Sequence, residues 1–167
     1  MTQQTMSDID AFKNQFEKEY QTTRRLLHAY PASKGDLRPS EKLKTAQELA
    51  WMLALNQMVL VPALEMAELT GAGLPGPPAT WADVLATFDK AHKDTTGRLN
   101  RVTDAEWSSE LSIPVGPNQM GSMQRGQAMW FFLSDTIHHR GQFSVYARMA
   151  GAKVPSIYGP SADEPWR

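Results

Sequence analysis

Apolar side chains recur at three- and four-residue steps in several stretches of the chain, which is the period of a helix with one buried face. In the first stretch the shared face carries Ile9, Phe12, Phe16, Tyr20, Thr23 and Leu27. This pattern predicts a helix that begins near Ser7, whose hydroxyl can cap it in an S-x-x-D arrangement with Asp10, and that ends at about Tyr30.

A second helix is predicted behind Thr45 and Glu48, which form a capping box in front of the most apolar part of the chain. Its expected inward face carries Leu49, Met52, Leu53, Asn56, Leu60, Ala63 and Ala67. Because the pattern continues to Leu69, Pro62 is expected to kink this helix rather than to end it.

Two further helices are predicted beyond a loop rich in glycine and proline. The third begins behind Thr80, which can cap it, and ends at about Asn100. The fourth runs from about Ser122 to Ala150, and Gly151 is well placed to stop it.

The segment from Val102 to Gly121 shows no sustained pattern. Residues Thr103 to Trp107 predict a helical turn, and a brief alternation follows at Leu111–Val115. A single short alternation that contains a proline does not predict a sheet, so the segment is interpreted as irregular.

Four amphipathic helices without a strand pattern predict an all-α fold, a four-helix bundle that forms a single domain over residues 1–167. The C-terminal tail at 152–167 contains several prolines and is not expected to be helical. Its aromatic residues Tyr158 and Trp166 are expected to pack the tail on the bundle.

The composition excludes some classes of function and leaves others open. The 167 residues include 17 basic and 18 acidic side chains, for a formal net charge of −1, and no cysteine. This balance argues against a nucleic-acid partner and against an anionic membrane surface, because both require an excess of clustered lysine and arginine. The absence of cysteine excludes thiolate metal sites and cysteine nucleophiles. No secretory signal or membrane-spanning stretch is recognisable, so a cytoplasmic location is expected.

The candidate chemistry lies on the fourth helix, where Asp135 and His139 are four residues apart and project from one face. Such a pair can share a divalent ion such as zinc or nickel, or the carboxylate can simply orient the ring through a hydrogen bond. His139 is expected to point into the bundle, and Asn56 is a second candidate for a buried polar group. Arg140 is interpreted as the partner of a neighbouring carboxylate rather than as a substrate clamp.

The stretch from His138 to Arg148, HHRGQFSVYAR, followed by VPSIYG at 154–159, resembles the DinB-like (DinB/YfiT) family. The segment Glu48–Trp51 is similar to that family's second helix. The resemblance implies a four-helix bundle with up-down-down-up topology, frequently dimeric and often holding a divalent metal.

The resemblance also implies a ligand set of three histidines, one on the second helix and two in an H-x-x-x-H motif on the last. His139 matches the second histidine of that motif, and Asp135 takes the place of the first. Met52 stands where the family has its helix-two histidine, and a thioether is a poor ligand for zinc or nickel.

Two functions follow from this resemblance. The first is a weakened divalent-metal site between helices two and four, in a small-molecule-binding or stress-related bundle with or without a bound ion. Its pocket is expected to include Met52, Asn56, Gln142 and Tyr146 beside the two candidate ligands. The alternative is an active metal-dependent hydrolase or thiol transferase that uses Asp135 and His139.

A homodimer is also expected, because helix two is apolar on more than one face and such a helix must be covered. The additional apolar positions on that helix are Leu53, Leu55, Met58, Val59 and Val61.

Overall fold

The computed structural model of the protein describes residues 6–166, so the outermost ends of the domain expected at 1–167 lie outside the described residues. The helices are α1 (Asp8–Ala29), α2 (Ala46–Met58), α3 (Leu60–Glu65), α4 (Trp81–Leu99), α5 (Asp104–Ser108) and α6 (Arg125–Met149), with a short 3-10 turn at Ala32–Lys34. The strands are β1 (Glu110–Gly116) and β2 (Gln119–Gln124). In residues 6–166, the helices are all too short or too polar to cross a bilayer.

Side-chain caps set the starts of three of the long helices where the sequence predicts them. The Ser7 hydroxyl accepts a hydrogen bond from the backbone N–H of Asp10 at the start of α1. Thr45 and Glu48 form both halves of the predicted capping box at α2. Thr80 caps α4 in the same way as Ser7 caps α1. These bonds satisfy N–H groups that have no partner within the helix.

The second helix differs from its predicted course. It breaks at Val59 between α2 and α3, and α3 ends at Glu65 rather than at Leu69. Pro62 has no backbone N–H to bond a carbonyl one turn earlier, which accounts for a break on its N-terminal side. The N–H of Leu69 instead donates to the carbonyl of Ser112 at 2.8 Å, so the chain here is tied to the first strand.

Residues 102–121 were predicted to be irregular, and this prediction is wrong for the second half of the segment. The helical turn is present as α5, but β1 and β2 then pair as an antiparallel hairpin, with Leu111 opposite Met123. Pro114 is tolerated because the edge of β1 that faces away from β2 bonds residues 67–69 at Ser112 rather than at Pro114. Since β2 extends to Gln124, the last helix begins at Arg125 rather than at about Ser122.

Contacts between α1 and α6 show that these two helices run in the same direction. Trp130 near the start of α6 donates its indole N–H to Asp8 at the start of α1, at 3.1 Å. Arg140, further along α6, bonds Glu19 near the middle of α1. Residue numbers therefore rise in the same direction along both helices, so the helices are parallel.

Contacts between α2 and α6 show that these two helices run in opposite directions. Asn56 near the end of α2 bonds Asp135, whereas Lys44 just before α2 accepts a hydrogen bond from Tyr146 near the end of α6. These two helices are therefore antiparallel.

The helix α4 is antiparallel to α1, because Arg24 contacts Asp89 at 3.0 Å and the earlier residue Glu17 contacts the later residue His92 at 2.9 Å. With α1 and α6 in one direction and α2 and α4 in the other, the chain order is up, down, down, up. The predicted all-α four-helix bundle and its topology are confirmed.

The apolar core of the bundle consists of two clusters. One contains Leu26, Trp51, Phe88 and Phe143, and the other contains Phe12, Phe16, Leu60 and Met129. On each long helix, buried polar side chains occupy the positions between the two clusters. This polar layer comprises Glu19, Thr23, Asn56, Gln57, His92, Thr95, Thr136 and Arg140.

The C-terminal tail contacts the bundle through the buried side chain of Val154, which belongs to the first core cluster, and through polar groups. The Tyr158 hydroxyl reaches the polar layer, Asp163 pairs with Arg148, and Glu164 bonds Arg25 at 2.6 Å. Trp166, which was expected to help pack the tail, is 71% exposed.

Candidate functional site

The residues Asn56, Asp135 and His139 meet where α2 and α6 pack together. The amide Nδ2 of Asn56 donates to Asp135 Oδ2 at 2.8 Å, and His139 Nε2 lies 3.3 Å from the same oxygen. The carboxylate is therefore shared by an amide from the neighbouring helix and by the ring one turn along its own helix. We refer to these three residues as the polar cluster.

The polar cluster continues to the outer face of α6. The other ring nitrogen of His139, Nδ1, lies 3.1 Å from Gln142 Oε1, and Gln142 Nε2 lies 2.9 Å from His138 Nε2. Gln142 is exposed, so this row of hydrogen-bonding groups connects the α2–α6 contact with solvent.

Contrary to the prediction, His139 does not point into the bundle. Its side chain is 18% exposed and that of Asp135 is 33% exposed, which places both at the edge of the α2–α6 contact. The inward positions of α6 are instead Thr136, Arg140 and Phe143. Apolar residues lie on most faces of this helix, so their spacing alone does not determine which face is buried.

The remaining residues expected in the pocket lie at different distances from the polar cluster. Met52 is half-buried on α2, one turn before Asn56 and on the same side of the helix. Tyr146 is buried, but its hydroxyl donates to the backbone carbonyl of Lys44 at 2.9 Å, at the other end of α2. Whether Met52, Asn56, Gln142 and Tyr146 line one ligand pocket stays a prediction.

The donor set at the polar cluster does not fit a three-ligand metal site. Within residues 6–166, histidine, cysteine, aspartate and glutamate side chains nowhere gather in a group of three that could hold a metal ion. Asp135 and His139 supply two ligands, whereas protein zinc sites normally have three or four. Asn56 turns its amide nitrogen toward Asp135, and a nitrogen that donates a hydrogen bond cannot also ligate a cation.

The most buried charged groups are an arginine and a glutamate, of which only the arginine was predicted from the sequence to form an ion pair. Arg140 is the partner of a carboxylate, as interpreted from the sequence, and that carboxylate is Glu19, with both side chains 1% exposed. Glu19 is not among the candidate residues predicted from the sequence. Its position on the same face as Phe12 and Phe16 was the available signal, because a charge within an apolar stripe requires a buried partner.

The buried ion pair is completed by the tail. Arg140 donates to the hydroxyl of Tyr158 at 2.6 Å, and that hydroxyl donates to Glu19 at 2.9 Å. Burial, together with the hydrogen bond to Glu19, raises the pKa of Tyr158 above its ordinary value. The phenol therefore keeps its proton at neutral pH and can hold both charged partners.

Comparison with known proteins identifies relatives over nearly the whole chain. Residues 15–143 match the family model described as the DinB superfamily. The uncharacterized protein YrdA of Bacillus subtilis (strain 168) is 25% identical over 158 residues, which cover 93% of this chain and 91% of YrdA.

Two solved structures are similar in fold. A DinB-like protein from Bacillus cereus has a TM-score of 0.72 at 18% identity, over 88% of this chain and 95% of that one. YfiT from Bacillus subtilis, described as a probable metal-dependent hydrolase with an unusual four-helix bundle topology, has a TM-score of 0.68 at 15% identity, over 92% of this chain and 94% of YfiT.

Proposed function

This chain belongs to the DinB superfamily, and on that basis we propose that it is a small-molecule-binding bundle in which the metal site is weakened. The observation that carries the proposal is the geometry of Asp135. Its Oδ2 atom accepts a hydrogen bond from Asn56 while facing His139, so the carboxylate is already engaged without an ion.

The identity of residue 52 supports the same proposal. The family resemblance places a third ligand at this position, where this chain has methionine. A thioether binds soft ions such as Cu(I) but is a poor ligand for zinc or nickel. With two ligands in place of three, any divalent ion at Asp135 and His139 is held weakly and exchanges with solvent.

The polar cluster can form hydrogen bonds to a ligand without a metal. The Asp135 carboxylate lies 3.3 Å from Nε2 of His139, and an imidazole beside a carboxylate can donate to or accept from a polar group of a bound molecule. Both side chains are partly exposed, so such a molecule can approach them from solvent. We propose that the cluster recognises a hydrogen-bonding group of a small ligand.

Metal analysis of protein purified without a histidine tag tests the weakened site. We expect far less than one zinc or nickel ion per chain after loading and dialysis, and an unchanged melting temperature on addition of a chelator. Met52→His is expected to create tight binding, because it restores a third ligand one turn from Asn56. Met149→His, on an exposed position of α6, is the control that adds a histidine elsewhere.

A second candidate function is a metal-dependent hydrolase or thiol transferase that uses Asp135 and His139. The 3.3 Å separation of Asp135 Oδ2 and His139 Nε2 favours it, since two ligands of one ion with bonds of about 2.1 Å lie at a similar distance. One tightly bound ion in the wild-type protein, lost in both Asp135→Asn and His139→Gln, would support this candidate and contradict the weakened site.

A further inference from the structure

A groove of about 560 Å³ lies between α2–α3 and α4, away from the polar cluster. Its wall on one side includes Gln57, Met58 and Val61, and α4 supplies the other side. This volume is within the range of small-molecule sites. The polar cluster lies between α2 and α6, so the groove is a second location and does not depend on the function proposed for the cluster.

The α4 wall of the groove is left open by a glycine. Gly97 lies within the helix, where glycine is less favourable than alanine. A Cβ atom built at this position would have no other atom within 4 Å, so no packing contact requires a glycine here. The missing side chain leaves room beside the apolar surfaces of Val61 and Ala91, which also line the groove.

The inner end of the groove carries a polar group whose hydrogen bonds are incomplete. Gln57 is 1% exposed, and its Oε1 atom is buried without a hydrogen-bond partner among the described residues. Buried polar atoms in folded proteins are nearly always paired, so an unpaired amide oxygen beside a groove indicates an acceptor to which a ligand can donate the missing hydrogen bond.

Positive charge in the groove exceeds the negative charge that faces it. Lys90 bonds Asp94 at 2.5 Å, and Arg98 is held by both Glu65 and Glu106. The other two cationic side chains, Lys93 and Arg101, are exposed and form no ion pair within residues 6–166.

The net charge of the whole chain is −1, so this local excess is a property of the groove rather than of the protein. A groove with an excess of one sign of charge attracts ligands of the opposite sign.

We propose that this groove binds a small organic anion with an apolar body, of the carboxylate or sulfonate class. The apolar body lies against Val61 and occupies the space beside Gly97. The anionic group is held by Lys93 and Arg101, and Oε1 of Gln57 accepts a hydrogen bond from an N–H or O–H group on the body of the ligand.

Fluorescence titration with 8-anilinonaphthalene-1-sulfonate tests the proposal, because this probe is an aromatic anion whose emission rises in an apolar site. We expect saturable binding of one probe per chain. N-phenyl-1-naphthylamine, which lacks the sulfonate, should bind more weakly. Absence of saturable sulfonate binding would overturn the proposal.

The charge requirement is tested with the double variant Lys93→Gln/Arg101→Gln. We expect about tenfold weaker binding of the sulfonate, since two charge-assisted contacts are lost, and unchanged binding of the neutral probe. The double variant Lys18→Gln/Lys42→Gln is the matched control, because it removes two exposed lysines elsewhere and changes the net charge equally. An equal loss in both double variants would refute a specific anion site.

The location is tested by filling the groove. Gly97→Leu is expected to abolish binding of both probes while the circular dichroism spectrum stays unchanged. Gly141→Leu is the control, because Gly141 is also an exposed helix glycine with open space around it. Wild-type affinity in Gly97→Leu would place the probe outside the groove and overturn the assignment.

Discussion

The guanidinium of Arg140 on α6 bonds the carboxylate of Glu19 on α1 at the centre of the bundle, where each side chain is 1% exposed. The hydroxyl of Tyr158 joins the two groups, and the Thr23 hydroxyl lies 3.3 Å from the guanidinium. The pair thus links two parallel helices and the C-terminal tail. A buried pair with its hydrogen bonds made in this way is sensitive to the loss of either partner.

We expect Arg140→Met to lower the free energy of unfolding by about 3–5 kcal/mol, because it leaves the carboxylate of Glu19 buried without a counter-charge. The double variant Glu19→Met/Arg140→Met should lose less than the sum of the two single variants. Urea unfolding of the four proteins in a double-mutant cycle measures this coupling, and strictly additive losses would contradict it.

Two helix glycines are predicted to respond oppositely to alanine. Gly97→Ala should raise the free energy of unfolding by about 0.5–1 kcal/mol, because its Cβ enters open space and alanine favours the helix. Gly126→Ala should lower it by about 1–3 kcal/mol, since the added Cβ would lie 2.3 Å from the indole nitrogen of Trp107. Thermal and urea unfolding of both variants check the prediction, which fails if the two shifts have the same sign.

Below about pH 6.5 the protein is predicted to lose stability through His92. Burial lowers the pKa of this ring from its ordinary value of 6.5, against the opposing effect of Glu17, and the ring is stacked on Tyr20 with centroids 3.5 Å apart. On acidification the unfolded chain therefore binds a proton at His92 before the folded protein does, and stability falls. His92→Phe should flatten this part of the pH profile of unfolding, and a wild-type slope in that variant would contradict the prediction.

At alkaline pH the tyrosines are predicted to limit stability. All four have a raised pKa, with burial as the largest cause, and the pKa reaches about 12 for Tyr20 and for Tyr30. Above pH 10 the unfolded chain loses phenolic protons that the folded protein retains, so stability falls as the pH rises toward 12. Tyrosinate absorbance should rise together with unfolding, and ionisation near pH 10 in the folded protein would contradict the prediction.

The homodimer expected from the sequence remains a proposal, although its structural basis differs. On the predicted second helix Leu53 and Val59 are buried within the chain, whereas Leu55, Met58 and Val61 are half-buried, so only part of the expected dimer face stays open. The outer face of α6 instead exposes Phe131, Val145 and Met149. If the dimer uses this face, sedimentation velocity should show a dimer for the wild type and a monomer for Phe131→Glu/Val145→Glu. A monomeric wild type at tens of micromolar would refute dimerisation.

The helices and most of their ends can be predicted from the sequence, because they depend on neighbouring residues. The caps at Ser7, Thr45 and Thr80 satisfy N–H groups within the next turn, and the apolar period needs no knowledge of the partner helix. The spacing of Asp135 and His139 likewise predicted their contact correctly, since four residues bring two side chains together on any helix.

Contacts between residues far apart in the chain become visible only in the folded protein. The bond from Asn56 to Asp135 joins residues 79 positions apart, and the pairing of Glu19 with Arg140 joins residues 121 positions apart. The hairpin was missed because its strands are short and are stabilised by each other and by the core beneath Leu111. The position of His139 at an edge, with Arg140 inside, follows from how α6 turns against α1 and α2, and a helix with apolar residues on most faces does not encode that rotation locally.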